Sequence, residues 1–149
     1  MEQLEQALVG HKIIGLDTAP FIYLWERHPR YFILSETLFR HLKKPEVQGV
    51  TSIITMIEAC VLPQRQGRRD LVQAYERALL HSQQVQMRSV DAVLARRAVS
   101  LRADYAIRVP DALQIAAALE AGATAFVTND QRLEKVKELT VLVLDNYAA

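Results

Sequence analysis

Short, mostly apolar runs alternate with longer amphipathic stretches along the chain. Each run has the length of a strand and is bounded by polar or turn-forming residues, which predicts five strands: KIIGLD (12–17), VQGVTS (47–52), VQMRSV (85–90), TAFVT (124–128) and LTVLVLD (139–145). The stretches between them have the period and length of helices. Strands separated by helices, several of them apolar all round, indicate an α/β fold with a parallel sheet covered on both faces.

Capping residues and helix breakers give the expected helix boundaries. Thr51 or Ser52 caps a helix that we expect to run to about Leu62, where Pro63 and Gly67 predict a break. The other helices are expected over residues 20–26, 30–44, 70–82, 91–104 and 110–122, with a short one after residue 131. Pro and Gly at the two ends of the 110–122 helix make it the clearest of these units.

Length and composition predict a single domain covering residues 1–149. Half of the 149 residues are apolar and 23% are charged, which is typical of a compact soluble globule. Charged residues interrupt every apolar run, so no membrane span is expected. The opening segment MEQLEQALVGHK lacks the basic start of a signal peptide, and we expect a cytoplasmic protein.

Four acidic residues lie beside or within apolar runs, where a carboxylate is unfavourable. Asp17 follows the first strand, Glu58 lies in SIITMIEACVL, Asp111 follows Pro110, and Asp130 follows the fourth strand. In parallel α/β folds, ligands bind beyond the carboxyl ends of the strands. If strands one and four are neighbours, Asp17 and Asp130 lie at the same rim, and the other two acids can approach from flanking helices.

Each acid also has a purely structural interpretation. Asp17 could cap the helix that begins near Pro20, Asp111 could complement a helix dipole, and Asp130 could belong to an ordinary turn. Thr55-Met-Ile-Glu58 matches a capping box, but Glu58 is harder to explain in this way because Thr51 and Ser52 are earlier and better starts for this helix. Glu58 is the only charged residue in its helix before the expected break, so we expect it to be a buried carboxylate that needs a partner.

Like charges brought together repel unless a cation holds them, so the four acids predict a divalent metal site. The single Cys60 excludes a cysteine-rich zinc site, and the four histidines are scattered without ligand spacing. The metal would therefore take oxygen ligands, which suits Mg²⁺ or Mn²⁺.

Basic residues surround the predicted acidic site. Apart from the four acids, 18 Lys and Arg residues face 13 of the 17 Asp and Glu residues, and they group in RHPR (27–30), RHLKK (40–44) and RQGRRD (65–70). An acidic site within a basic surface fits a polyanion whose backbone is gripped outside and cut inside. Each cluster alone is more typical of an ordinary solvated helix face.

At these residues the chain resembles the PIN-domain superfamily, and within it the VapC-type toxins of bacterial toxin–antitoxin pairs. The motifs that carry the resemblance are Asp17-Thr18, Glu58, Pro110-Asp111-Ala112 and Thr128-Asn129-Asp130. They are short, but their order and spacing cover essentially the whole chain. The resemblance implies an α/β/α sandwich whose five-stranded parallel sheet has the order 3-2-1-4-5. Ala19-Pro20 and the long segment before the first strand depart from the usual pattern.

The resemblance implies a Mg²⁺- or Mn²⁺-dependent endoribonuclease that is often dimeric and is inhibited by a cognate antitoxin. Asp17, Asp111 and Asp130 are the expected metal ligands, while Glu58 would be a ligand or would orient the attacking water. These four are also the expected catalytic residues. The side chains expected to hold the carboxylates in place are those of Thr18, Thr128 and Asn129.

Two other functions stay open at this stage. One is a PIN-fold nuclease without an antitoxin, acting in RNA processing or on DNA. The other is a degenerate PIN fold that only binds RNA or protein, although all four acids are present. The aromatic and apolar residues between Pro20 and Phe39 line either a dimer or antitoxin surface or the interior of a helical hairpin.

Overall fold

The structure, a computed structural model, describes all 149 residues. The strands are β1 (Ile13–Leu16), β2 (Gln48–Ser52), β3 (Val85–Arg88), β4 (Ala125–Thr128) and β5 (Thr140–Val143). The helices are α1 (Glu2–Leu8), α2 (Thr18–Trp25), α3 (Phe32–His41), α4 (Ile53–Arg65), α5 (Arg69–Leu80), α6 (Ala92–Tyr105) and α7 (Val109–Glu120). Two short 3₁₀ segments, Gln131–Lys135 and Leu144–Tyr147, complete the chain.

All five strands form one parallel sheet in the order β3-β2-β1-β4-β5, so the predicted α/β fold and strand order are confirmed. The central strand β1 pairs with β4 through Ile14–Ala125, Gly15–Phe126 and Leu16–Val127. Because the strands are parallel and in register, β1 and β4 end side by side at one edge of the sheet.

Buried side chains form two separate layers, one on each face of the sheet. One layer joins the strands to α1, α2, α3 and α5, and the other joins them to α6 and α7. Helix α7 packs very closely on β1: a Cβ added at Gly15 would lie only 2.5 Å from Cβ of Ala118. This close approach needs glycine at that position, and it brings the start of α7 to the carboxyl end of β1.

Two helical segments differ from the sequence-based expectation. Helix α1 was not predicted, because seven residues with only Leu4 and Leu8 buried give a weak periodic signal. Helix α4 does not stop near Leu62 but continues through Pro63 to Arg65. Pro63 lies in the last turn, where it removes little beyond its own hydrogen bond, and the chain leaves the helix at Gly67, whose φ is +70°.

The segment between Pro20 and Phe39 is a helical hairpin that packs largely into its own core. Phe21, Leu34 and Leu38 are buried, and the ring of Phe21 lies against those of Trp25 and Phe39. The interior alternative therefore accounts for most of its apolar residues. No helix in the structure is both long and apolar enough to span a membrane.

Candidate active site

An open pocket of about 380 Å³ lies at the carboxyl ends of β1 and β4. All four acids that the sequence singled out line it, together with the three residues expected to hold them. The lining residues are Asp17, Thr18, Ala19, Ile22, Tyr23, Glu58, Arg108, Asp111, Thr128, Asn129 and Asp130. The parallel register explains the convergence, because Asp17 and Asp130 follow paired strands and Asp111 begins the helix packed on β1.

Asp17 is both a helix cap and a partly buried carboxylate of the pocket. Its Oδ1 accepts a hydrogen bond from the backbone N–H of Thr18 at 2.9 Å, and its Oδ2 accepts one from the hydroxyl of Thr128 at 2.7 Å. Burial raises the pKa of Asp17 from 3.8 to about 6, against the effect of these two bonds, and the neighbouring Asp111 and Glu58 raise it further. The two hydrogen bonds thus do not compensate ionised Asp17 for the loss of hydration on burial.

Glu58 is exposed, so the expectation of a buried carboxylate is wrong. The neighbouring apolar residues misled the prediction, because Ile57, Val61 and Leu62 are themselves 44–60% exposed and do not belong to the core. The carboxylate still has a partner in the pocket: the hydroxyl of Thr18 donates to Oε1 of Glu58 at 2.6 Å. Glu58 therefore lies at the open side of the site.

A buried network of hydroxyl and amide groups supports this side of the pocket. Gln114 donates to Oγ1 of Thr55 at 2.8 Å and to Oγ1 of Thr18 at 3.3 Å, and it accepts from Ser52 at 2.5 Å. Thr51 in turn donates to the carbonyl of Leu16 at the end of β1. Sequence reasoning missed Gln114, although one amide in a helix otherwise rich in Ala, Leu and Ile was a usable signal.

Asp111 and Asp130 have arginine partners that the sequence analysis also missed. Nε of Arg108 lies 3.1 Å from Oδ2 of Asp111, whose side chain is 9% exposed. Arg132 binds Asp130 through two parallel hydrogen bonds of 3.0 and 2.7 Å. The hydrogen bonds from Arg132 hold the pKa of Asp130 below its usual value. The only signal in the sequence was the short spacing within each pair, because Arg108 lies three residues before Asp111 and Arg132 lies two residues after Asp130.

Asn129 lines the pocket but contacts none of the four acids, which differs from its expected role. Its amide donates to the hydroxyl of Tyr23 at 2.8 Å, and its Oδ1 accepts from the backbone N–H of Asp145 at 2.8 Å. Asn129 therefore fixes the loop after β4 to α2 and to the end of β5. Thr128 instead holds Asp17 and also accepts from the backbone N–H of Asp130 at 3.1 Å.

No three His, Cys, Asp or Glu side chains in the structure are arranged closely enough to hold a metal ion. Asp111 and Asp130 are held by their arginines, and Glu58 is held by Thr18. The chemistry of the pocket nevertheless fits a hard divalent cation. All donors are oxygen atoms, and the raised pKa of Asp17 shows a carboxylate that a neighbouring positive charge would stabilise.

Comparison with known proteins agrees with this architecture. The family model of the PIN domain matches residues 14–139. No curated protein matches the chain. Among solved structures, the chain is similar to a toxin–antitoxin complex from Klebsiella pneumoniae, with a TM-score of 0.68, 20% identity and coverage of 89% of this chain and 97% of that chain.

Two further solved structures are similar over nearly their whole length. VapBC2 from Rickettsia felis, bound to a DNA fragment from its promoter, gives a TM-score of 0.68 at 18% identity and covers 88% of this chain and 98% of that chain. VapC20 from Mycobacterium tuberculosis is described as a toxin that cleaves the sarcin–ricin loop. It gives a TM-score of 0.65 at 20% identity and covers 86% of this chain and 98% of that chain. The chain therefore belongs to the PIN-domain family, and its fold is VapC-like.

Proposed function

We propose that this protein is a Mg²⁺- or Mn²⁺-dependent endoribonuclease and the toxin of a toxin–antitoxin pair. The observation that carries the proposal is the convergence of Asp17, Glu58, Asp111 and Asp130 on one pocket at the carboxyl edge of the sheet. The similarity in fold to VapC20, a toxin described by its cleavage of the sarcin–ricin loop, supports the substrate class. An RNA substrate is also the reason to propose a cytoplasmic site of action.

The four acids would hold the divalent cation. Bound there, the cation supplies electrostatic stabilisation of the scissile phosphate and lowers the pKa of its water. Asp17 is the anchor, since the backbone N–H of Thr18 and the hydroxyl of Thr128 fix both of its oxygens. Because its pKa is about 6, Asp17 is mostly ionised at neutral pH even without a cation.

Glu58 is the group we assign to orienting the attacking water. It lies on the open side of the pocket, and Thr18 occupies only its Oε1. Its other oxygen has no hydrogen-bond partner in the protein and can accept from a water. Thr18 therefore links Glu58 to Asp17, because its N–H holds one carboxylate and its hydroxyl holds the other.

A cognate antitoxin and a second copy of the chain are the proposed protein partners. Similar solved structures include toxin–antitoxin complexes from Klebsiella pneumoniae and Salmonella typhimurium. Next to the pocket, Ile57, Val61 and Leu62 of α4 expose 60, 44 and 55% of their surface. An uncovered apolar face beside the site supports an antitoxin that covers it. The homodimer is proposed from the family resemblance alone.

The proposal is tested by incubating purified protein with total RNA in Mg²⁺ or Mn²⁺ and in EDTA. We expect cleavage only with the cation, and a loss of roughly a hundredfold or more in Asp17→Asn and Asp111→Asn, because each removes an anionic oxygen from the site. Asp70→Asn is the matched control, since Asp70 pairs with Arg68 outside the pocket.

Equal cleavage by Asp17→Asn and the wild-type protein would exclude the proposed site. Expression should also arrest growth, and co-expression of a neighbouring antitoxin gene should relieve the arrest. A nuclease that cuts RNA without arresting growth would instead be a PIN nuclease without an antitoxin.

A further inference from the structure

Two of the four acids in the pocket, Asp111 and Asp130, are bound to arginines that are mostly in solvent. The side chain of Arg108 is 62% exposed and that of Arg132 is 66% exposed, whereas the carboxylates they bind are 9 and 23% exposed. Each arginine therefore lies at the rim with a carboxylate below it. Neither Asp17 nor Glu58 forms such a pair; hydroxyl and backbone groups hold them instead.

The arginines hold three of the four carboxylate oxygens of Asp111 and Asp130. The guanidinium of Arg132 occupies both carboxylate oxygens of Asp130, and Nε of Arg108 occupies Oδ2 of Asp111. A cation would need oxygen atoms that the arginines now hold. An arginine at the rim and a cation in the pocket thus compete for the same carboxylates.

We propose that Arg108 and Arg132 are exchangeable counterions of Asp111 and Asp130. In the free protein they neutralise these acids. When RNA binds, each arginine exchanges its carboxylate for a phosphate oxygen, and the released carboxylate turns to the divalent cation. The inference rests on the proposed function and adds to it two residues that couple RNA binding to metal binding.

Physical chemistry favours this exchange. Ion pairs whose cation is exposed contribute little to stability, so breaking them costs little. The planar guanidinium fork fits a phosphate as well as it fits a carboxylate, and RNA offers several phosphates to one surface. Because each ligand frees the group that the other needs, RNA and metal should strengthen each other's binding by the same factor.

The experiment measures two affinities with opposite expected changes. Calorimetry gives the affinity for Mn²⁺ without RNA, and fluorescence anisotropy in EDTA gives the affinity for a labelled ten-nucleotide RNA without metal. The variants are Arg108→Ala, Arg132→Ala and Arg132→Lys. Arg97→Ala is the matched control, because Nε of Arg97 pairs with Glu120 at 2.9 Å outside the pocket and outside the basic clusters.

We expect each alanine variant to bind Mn²⁺ about twofold to fivefold more tightly, since a competing ion pair is gone. The same variants should bind RNA about threefold to tenfold more weakly. The slope of log affinity against log salt concentration should also become about one unit shallower, because one phosphate contact is lost. Arg132→Lys keeps the charge but loses the fork, so it should still bind Mn²⁺ about twofold more tightly. The control should change neither affinity.

Unchanged or weaker Mn²⁺ binding in both alanine variants would overturn the inference and leave the proposed function intact, provided that the wild-type protein binds Mn²⁺ and cleaves RNA. An Arg132→Lys affinity equal to wild type would also overturn it, because the effect would then be one of net charge. If the wild-type protein neither binds Mn²⁺ nor cleaves RNA, the proposed function fails and this inference fails with it.

Discussion

The acidic pocket holds its carboxylates by two different means: neutral donors hold Asp17, which we call the inner half, and arginines hold Asp111 and Asp130, which we call the outer half. Asp17, in the inner half, accepts from a backbone N–H and a hydroxyl and has no cationic partner. Asp130, in the outer half, is bound through two hydrogen bonds by Arg132. Burial raises the pKa of Asp17 to about 6, whereas the hydrogen bonds from Arg132 lower the pKa of Asp130.

The difference shows that a carboxylate can be fixed in position without being neutralised. Neutral donors fix Asp17 in one position but leave its charge uncompensated, which costs stability in the metal-free protein. Arginines neutralise the outer acids but are exposed and can leave. The inner half therefore defines where a cation would bind, and the outer half controls when the remaining ligands become free.

The largest stability effect should come from Asp17→Asn in the metal-free protein. Ionised Asp17 is disfavoured in the folded state, where its pKa is about 6 instead of the ordinary 3.8. Its contribution to stability is present below pH ~4 and is lost as pH rises through about 6, a difference of about 3 kcal/mol at most. Denaturation at pH 8 in EDTA should show Asp17→Asn to be more stable than wild type.

The same comparison at pH 3 provides the control, because Asp17 is then mostly protonated in both the folded and the unfolded state and the gain should largely vanish. A variant that is equally stable or less stable than wild type at pH 8 would contradict the unfavourable charge of the inner half.

The next effect tests the network beneath the inner half. Gln114→Leu removes the acceptor of Ser52 and the donor to Thr55, both of which are buried. Leaving a buried hydroxyl without a partner should lower the free energy of unfolding by about 2 kcal/mol. Urea denaturation measures this, with the exposed Gln66→Leu as a control. An unchanged midpoint would show that the network does not support the site.

Much of the fold was predictable because its signals are local. The short apolar runs of β1 and β4, bounded by turn-forming residues, favour buried strands, and parallel pairing then places Asp17 near Asp130. The end of α4 was not predictable in the same way. The free-energy cost of Pro63 in a helix depends on whether it lies in the interior or in the last turn, and the sequence alone does not say which.

The site was predictable as a set of acids but not as a set of contacts. The exposure of Glu58 depends on which face of α4 meets the core, and the apolar residues around it gave no clue that they are exposed themselves. The partners of Asp111 and Asp130 depend on the side-chain directions of exposed arginines, which no periodic pattern in the sequence encodes.

The smallest effect should come from Asp130→Asn in the outer half, and its sign should be opposite to that of Asp17→Asn. Arg132 lowers the pKa of Asp130, so the ionised form contributes stability above its ordinary pKa, and this is lost as pH falls through the lowered value. Solvent screening keeps the contribution below about 1 kcal/mol. Denaturation at pH 8 should show Asp130→Asn to be slightly less stable than wild type. A clear gain in stability would contradict the contrast between the two halves.

The most direct test of the account is the binding of Mn²⁺ to the wild-type protein and to Asp17→Asn, measured by calorimetry at neutral pH. Asp17 is the carboxylate around which the site is built, and Asp17→Asn is expected to be at least as stable as wild type, so lost binding cannot come from unfolding. The account predicts binding to wild type and to the Asp70→Asn control, and a loss of about tenfold or more in Asp17→Asn. Equal binding by Asp17→Asn and wild type would contradict it.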